Sequence, residues 1–230
     1  MLKLRTHTDT NNPISLSNQM RAKRFEIFKK LAASLPRPLS IIDIGGTPKF
    51  WELCGWANRD DIHITLVNLK NSECKHSNIE IKVGDATNLA DYSDQSFDIA
   101  FSNSVIEHLF TYENQASMAR EVQRVGRAYW VQTPNYWFPI EPHFQILGWQ
   151  WLPTTVRVAI IRRFTCGRRG PYPNPEQARK TVQEIRLMTR REFSQLFQDD
   201  ANIRAELFCG LVKSWIVFGG FPSAGIEYDR

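Results

Sequence analysis

The residues best suited to chemistry gather in three short stretches, IIDIGG at 41–46, VGDATNL at 83–89 and SNSVIEHL at 102–109. In the first, Ile41, Ile42 and Ile44 carry one acidic residue, Asp43, and run into Gly45-Gly46, then Thr47-Pro48. A buried parallel strand that turns sharply into a helix has this composition. Glycines let a ligand approach the backbone, and a new helix N-terminus offers unpaired N–H groups, so the turn suits a nucleoside-containing cofactor. Asn68, Asp85 and Ser102-Asn103 close three later apolar runs. Each is equally consistent with ordinary turn or capping duty. Together they offer acceptors for an amino group, a ribose and an adenine. Two histidines could serve as bases towards an acceptor hydroxyl, because imidazole titrates near neutral pH. They are His108, in the pair Glu107-His108, and His143, in YWFPIEPHF. Local hydrogen bonding explains the first equally well, and simple packing the second.

These residues need a scaffold that brings strand ends together. Met20, Phe25, Phe28, Leu31 and Leu35 recur at helical spacing behind a cap at Ser17 or Asn18, and Pro36 and Pro38 end that helix. Strands are expected from Leu39, then over 62–69, 79–83, 97–104 and 128–135, with helices at 50–54 and at 105–125, the latter interrupted at Phe110-Thr111. A helix capped by Thr189 precedes two last strands, IRAELF and KSWIVFG. Strands alternating with helices predict a mostly parallel, seven-stranded sheet covered on both faces, with ligands beyond the strand C-termini. The chain divides into a segment and helix at 1–38, a cofactor-binding core at 39–135, an insertion or lid at 136–190 on the acceptor side, and a closing helix and strands at 189–230.

The 230 residues carry a net charge of +5, which permits an acidic partner but is ordinary for a solvated surface. Four scattered cysteines lack any CxxC spacing, so neither a metal site nor a disulfide framework is expected, and a reducing cytoplasm fits. The first residues hold no apolar core of a secretory signal, and no apolar run is long enough to span a membrane. The insertion is aromatic and basic: residues 144–164 combine Trp149, Trp151 and several β-branched residues with Arg157, Arg162 and Arg163. A helix from Thr154 to Phe164 would suit peripheral contact with an anionic membrane face, a buried lid or a dimer contact.

The order and spacing of IIDIGG, Asn68, VGDATNL and FDIAFSNSVIEHL resemble the class I S-adenosylmethionine-dependent methyltransferases, particularly the branch that modifies small molecules. The resemblance is close over 39–135 and looser over 189–219. It implies a Rossmann-like fold with S-adenosyl-L-methionine as cofactor. It places Asp43 near the methionine amino group, and Gly45, Gly46 and Thr47 in the cofactor turn. Asn68 and Leu69 fall at the ribose, Asp85 and Ala86 at the adenine, and Ser102 and Asn103 at the methionine end. Glu107, His108 and His143 become the catalytic candidates. The implied acceptor is a small molecule, a sugar or lipid-linked glycan hydroxyl, resembling bacterial enzymes with a comparable W-x-W-L-P insertion. The chain departs from the family where Thr47 and Lys49 replace later glycines and Asn68 replaces an acidic residue. Those departures define an alternative, a non-catalytic scaffold on the same fold. An RNA methyltransferase is the third reading, but SNSV stands where a base-clamping N-P-P-Y would be needed. A dehydrogenase fits poorly, since GGTPKF lacks the G-x-G-x-x-G spacing.

Overall fold

In the computed structural model, which describes residues 15–197 and 201–222, the chain is organised around β1, Leu39–Ile44. β1 pairs in parallel with β2 (Ile62–Asn68) on one side and with β4 (Phe97–Asn103) on the other. β3 (Ile79–Val83) extends the sheet beyond β2, and β5 (Gly126–Pro134) extends it beyond β4, both in parallel. β7 (Leu211–Gly219) then joins β5 in antiparallel sense and carries β6 (Asn202–Phe208) at the edge. The order is β3-β2-β1-β4-β5-β7-β6. Connections from β1 and β4 leave in opposite directions, so a crevice opens where those two strands end.

Both faces are covered, as the two-residue period of the strands requires. Ile42, Ile44 and Val67 pack with Met118, Val122 and Phe193 on one face. Leu39, Ile41, Ile64 and Leu66 pack with Phe25, Phe28, Leu31 and Trp51 on the other. The helix Leu16–Ala32 supplies the phenylalanines of this second face. Its cap is Ser15, whose Oγ accepts from the Asn18 N–H at 3.3 Å, and not Ser17 or Asn18 as the sequence suggested. Any of these side chains can cap; position along the chain decided it.

The expected continuous helix after β4 is two elements. A 3₁₀ turn, Ile106–His108, and the helix Tyr112–Val125 are separated by Phe110 at φ 64°, and Thr111 caps the second piece. The helix after Thr189 is short, Arg190–Ser194, and opens with a reciprocal capping box between Thr189 and Glu192. The insertion is a lobe with a core of its own. Phe144, Trp149, Ile161, Cys166, Ala178 and Val182 are buried together, and the helices Thr154–Arg163 and Pro175–Gln183 frame them. Among the described residues no helix is long and apolar enough to cross a membrane.

Candidate active site

A cavity of about 600 Å³ lies at the C-terminal ends of β1 and β4, between the glycine turn and the helix Leu16–Ala32. Asp43, Gly45, Gly46, Thr47 and Asn103 line it. The local sequence explains the turn. Gly45 has φ +80°, a conformation that L side chains rarely adopt, and a Cβ there would stand 2.6 Å from the Val105 methyls. A Cβ on Gly46 would overlap the Asp43 carboxylate. Thr47 caps the helix Pro48–Leu53, its Oγ1 accepting from the Phe50 N–H at 3.4 Å. That helix returns Trp51 to donate its indole N–H to Asp43 Oδ2 at 2.7 Å.

Asp43 is 1% exposed, and its second oxygen, Oδ1, has no hydrogen-bond partner among the described residues. Burial pushes its pKa up to about 7, with the Trp51 hydrogen bond opposing. A buried carboxylate with a vacant acceptor, beside two glycines that no side chain can replace, suits an ammonium-bearing ligand.

The other sequence candidates fall in three places. Asn103 is in the cavity wall and accepts from Arg24 Nη1 at 2.5 Å, while Arg24 forks onto Glu206 at 3.1 and 3.2 Å. Asn68, Leu69, Asp85 and Ala86 sit at the ends of β2 and β3, outside the walls of the cavity. There the Asn68 amide donates to the Gly46 carbonyl at 2.9 Å, and Asp85 Oδ1 accepts from the Thr87 N–H and hydroxyl, both at 2.8 Å. Ser102 lies outside the cavity wall. Its side chain is fully buried and donates to the Ile44 carbonyl at 3.1 Å, so it joins β4 to β1. Alternation along β4 sends Ser102 inward and leaves Asn103 at the strand end.

Sequence reasoning missed the part of the wall supplied by the first helix, Asn18, Arg21 and Phe25, which no motif marks. Arg21 donates to Asn18 Oδ1 at 3.0 Å. Burial, with Arg24 and Arg168 nearby, lowers its pKa, so an anion in the cavity would relieve it. Phe50 and Phe101, stacked at 5.6 Å between ring centroids, complete an apolar wall.

Three residues beyond Ser104, which has φ 59°, the 3₁₀ turn aims Glu107 and His108 towards His143. The fold does bring these three candidates together. Glu107 is 0% exposed. Its Oε2 accepts from the Thr133 hydroxyl at 3.2 Å, its Oε1 is unpartnered among the described residues, and His143 Nε2 stands 3.9 Å from Oε1. The imidazoles of His108 and His143 meet edge to face at 4.8 Å. His143 Nδ1 lies 2.6 Å from Glu141 Oε1, and Glu141 Oε2 accepts the backbone N–H groups of His143 and Phe144. Burial pushes the Glu107 pKa up to about 7, against the opposing pull of His143. Burial, then His143, lowers that of His108 to about 4. Burial also works against a charged His143, but the hydrogen bond and charge of Glu141, joined by Glu107, outweigh it and raise its pKa. No spacing in the sequence marks Glu141 as the partner of His143.

Comparison with known proteins bears on the fold. Residues 56–128 match the family model described as a methyltransferase domain. Two uncharacterized proteins of Mycobacterium tuberculosis strains are 43% identical over 54 residues, 24% of this chain and 18% of theirs, so the match covers under a fifth of those relatives. An S-adenosylmethionine-dependent methyltransferase from Methanosarcina mazei superposes with a TM-score of 0.53 at 14% identity, covering 82% of this chain and 94% of that one. A protein from Pyrococcus horikoshii gives 0.54 at 14%, covering 93% of each chain. A methyltransferase from Aquifex aeolicus gives 0.51 at 11%, covering 94% and 96%. At these identities the structures speak to fold alone. Over residues 56–128 the chain thus matches a methyltransferase-domain model, and its fold is that of these solved methyltransferases.

Proposed function

We propose that this chain transfers a methyl group from S-adenosyl-L-methionine to a small-molecule acceptor, a hydroxyl of a sugar or lipid-linked glycan. The observation that carries the reading is the adjacency of two unlike features at the end of β4. Asn103, the last residue of β4, lines the cavity that holds the buried, half-unpartnered Asp43, and the chain runs on from it into Glu107 and His108 of the cluster with His143. The cofactor supplies an electrophilic methyl on a sulfonium, whose C–S electron pair leaves with the sulfur. In that reading Asp43 Oδ1 takes the methionyl ammonium, Arg21 its carboxylate, and Gly45-Gly46 the close passage of the backbone. Asn68 and Asp85, at adjacent strand ends, receive the nucleoside. Alignment supplies most of the acceleration in such a displacement, and the acceptor hydroxyl loses its proton at the cluster.

The lobe favours a glycan. Trp137 and Trp151, 62% and 46% exposed, lie 6.4 Å apart between ring centroids and offer indole faces to a sugar. Ile140 and Leu147, bridged across the same loop, are also exposed. With Arg157, Arg162 and Arg163 on the helix Thr154–Arg163, this rim suits an anionic lipid surface that carries the acceptor.

The test is titration with S-adenosylhomocysteine, followed by incubation with methyl-labelled cofactor and a fractionated extract. Binding, with label in a sugar or glycolipid fraction that resists nuclease, is the expected result. Binding without label in any fraction would favour the scaffold reading, nuclease-sensitive label an RNA acceptor, and absence of binding would remove methyl transfer altogether.

A further inference from the structure

We propose that Glu107, His108 and His143 form a site for a divalent transition-metal cation beyond the C-terminal end of β4. Each offers one ligand atom, and the three atoms lie within 4.8 Å of one another. Two imidazoles and one carboxylate suit Zn²⁺, Co²⁺, Ni²⁺ or Fe²⁺, whereas Mg²⁺ and Ca²⁺ prefer oxygen alone. Three protein ligands leave a coordination position open, as at catalytic metal sites.

The orphaned oxygen points to an ion. Glu107 Oε1 is buried without a partner, a costly arrangement for a carboxylate. The nearest basic atom, His143 Nε2, stands 3.9 Å away, beyond hydrogen-bond range. A hydrogen bond from an imidazolium there would not reach Glu107 Oε1. An ion ~2.1 Å from each fits between His143 Nε2 and Glu107 Oε1. The three ligand atoms spread over 4.8 Å, so the set must draw in as the ion binds.

The surroundings are those of a supported ligand set. Glu141 receives His143 Nδ1 at 2.6 Å and is itself held by two backbone N–H groups, which turns the Nε2 lone pair towards Glu107. Glu184 Oε1 lies 3.5 Å from His108 Nδ1, leaving Nε2 of that ring free to bind. The charge of Arg169 is felt at both histidines, and its guanidinium is tied to Glu184 at 2.6 Å. Glu107, Glu141 and Glu184 against Arg169 leave the cluster net negative. Spacing along the chain gave no warning of this, because the ligands come from the β4 end and from the lobe.

The cation site stands independently of the reaction. That its open position takes the acceptor hydroxyl, whose proton leaves to water before the oxygen attacks the methyl carbon, rests on the methyl-transfer reading.

The full chain, stripped with chelator, is titrated with cobalt(II) chloride and followed by visible absorption, with Zn²⁺ as competitor. One equivalent should bind with the bands of a nitrogen-ligated ion. His108→Ala and His143→Ala should each weaken binding about 100-fold or more, and Glu141→Gln roughly 10–100-fold, as outer-shell partners do. Circular dichroism and S-adenosylhomocysteine binding should stay unchanged in all three. Absorption no different from hydrated Co²⁺, or binding that persists when both histidines are replaced, overturns the site. No cobalt binding by the unaltered chain, with its cofactor binding and transfer intact, would sink the ion alone. Cobalt bound without any cofactor affinity would sink methyl transfer alone.

Discussion

Asp43 and Glu107 are both buried carboxylates beside strand ends, 1% and 0% exposed. Each has one oxygen paired and one left bare, and each is pushed by burial to a pKa of about 7. Their support differs. Asp43 is held by Trp51, eight residues on, within one strand–turn–helix unit. Glu107 is held by Thr133, 26 residues away on β5, and faces His143 from the lobe. The same electrostatic cost is met locally at Asp43 and by assembly at Glu107. A carboxylate held by its own turn depends on that turn alone, whereas one completed by an insertion depends on how the insertion docks.

The comparison can be broken most severely at Gly46. Gly46→Ala places a Cβ on the Asp43 carboxylate and should weaken S-adenosylhomocysteine binding by about 100-fold or more in calorimetry. Binding at wild-type strength would mean that the cofactor does not use this turn. Glu107→Gln should do the reverse, lowering turnover roughly 10²–10³-fold while cofactor affinity changes less than about threefold. If both constants fall together, the two carboxylates belong to one site and the division fails.

Arg21→Ala comes next. Removing a half-buried cation from the cavity wall should raise the cofactor dissociation constant about tenfold, with little change in turnover at saturation. An unchanged constant would place the methionyl carboxylate elsewhere.

Asp43 also predicts a pH effect. Its folded pKa, about 7, exceeds the ordinary 3.8, so the folded state holds the proton more tightly than the unfolded chain. The ligand-free protein should therefore lose stability as pH rises through that window, by an amount on the order of a few kcal/mol. Asp43→Asn should flatten the curve and raise Tm above pH 7 by roughly 5 °C while abolishing cofactor binding. Parallel melting curves for variant and wild type would show that burial of this carboxylate costs nothing.

The smallest expected effect is at Asn68. Its amide donates to the Gly46 carbonyl, which a carboxylate cannot do. Asn68→Asp, the change towards the family's usual residue, should cost about 1 kcal/mol of stability in denaturant unfolding. A gain in stability would show that the amide is a defect and not a part of the turn.

Much of this was legible in the sequence where chemistry and local structure coincide. IIDIGGTP determined a buried strand, a left-handed glycine and a capped helix, because hydrophobic period, φ preference and capping are all short-range. The alternation of strands and helices fixed the sheet class for the same reason. What neighbours decided could not be read. Ser102 turned inward to the Ile44 carbonyl because β1 and β4 pair there. Arg21 entered the cavity because the phenylalanine stripe of its helix had to bury against β1. Glu107, His108 and His143 appeared in the sequence as separate candidates without a metal spacing. Only the docking of the lobe, driven by its own apolar core and far from local in the chain, set an imidazole 3.9 Å from a bare carboxylate oxygen.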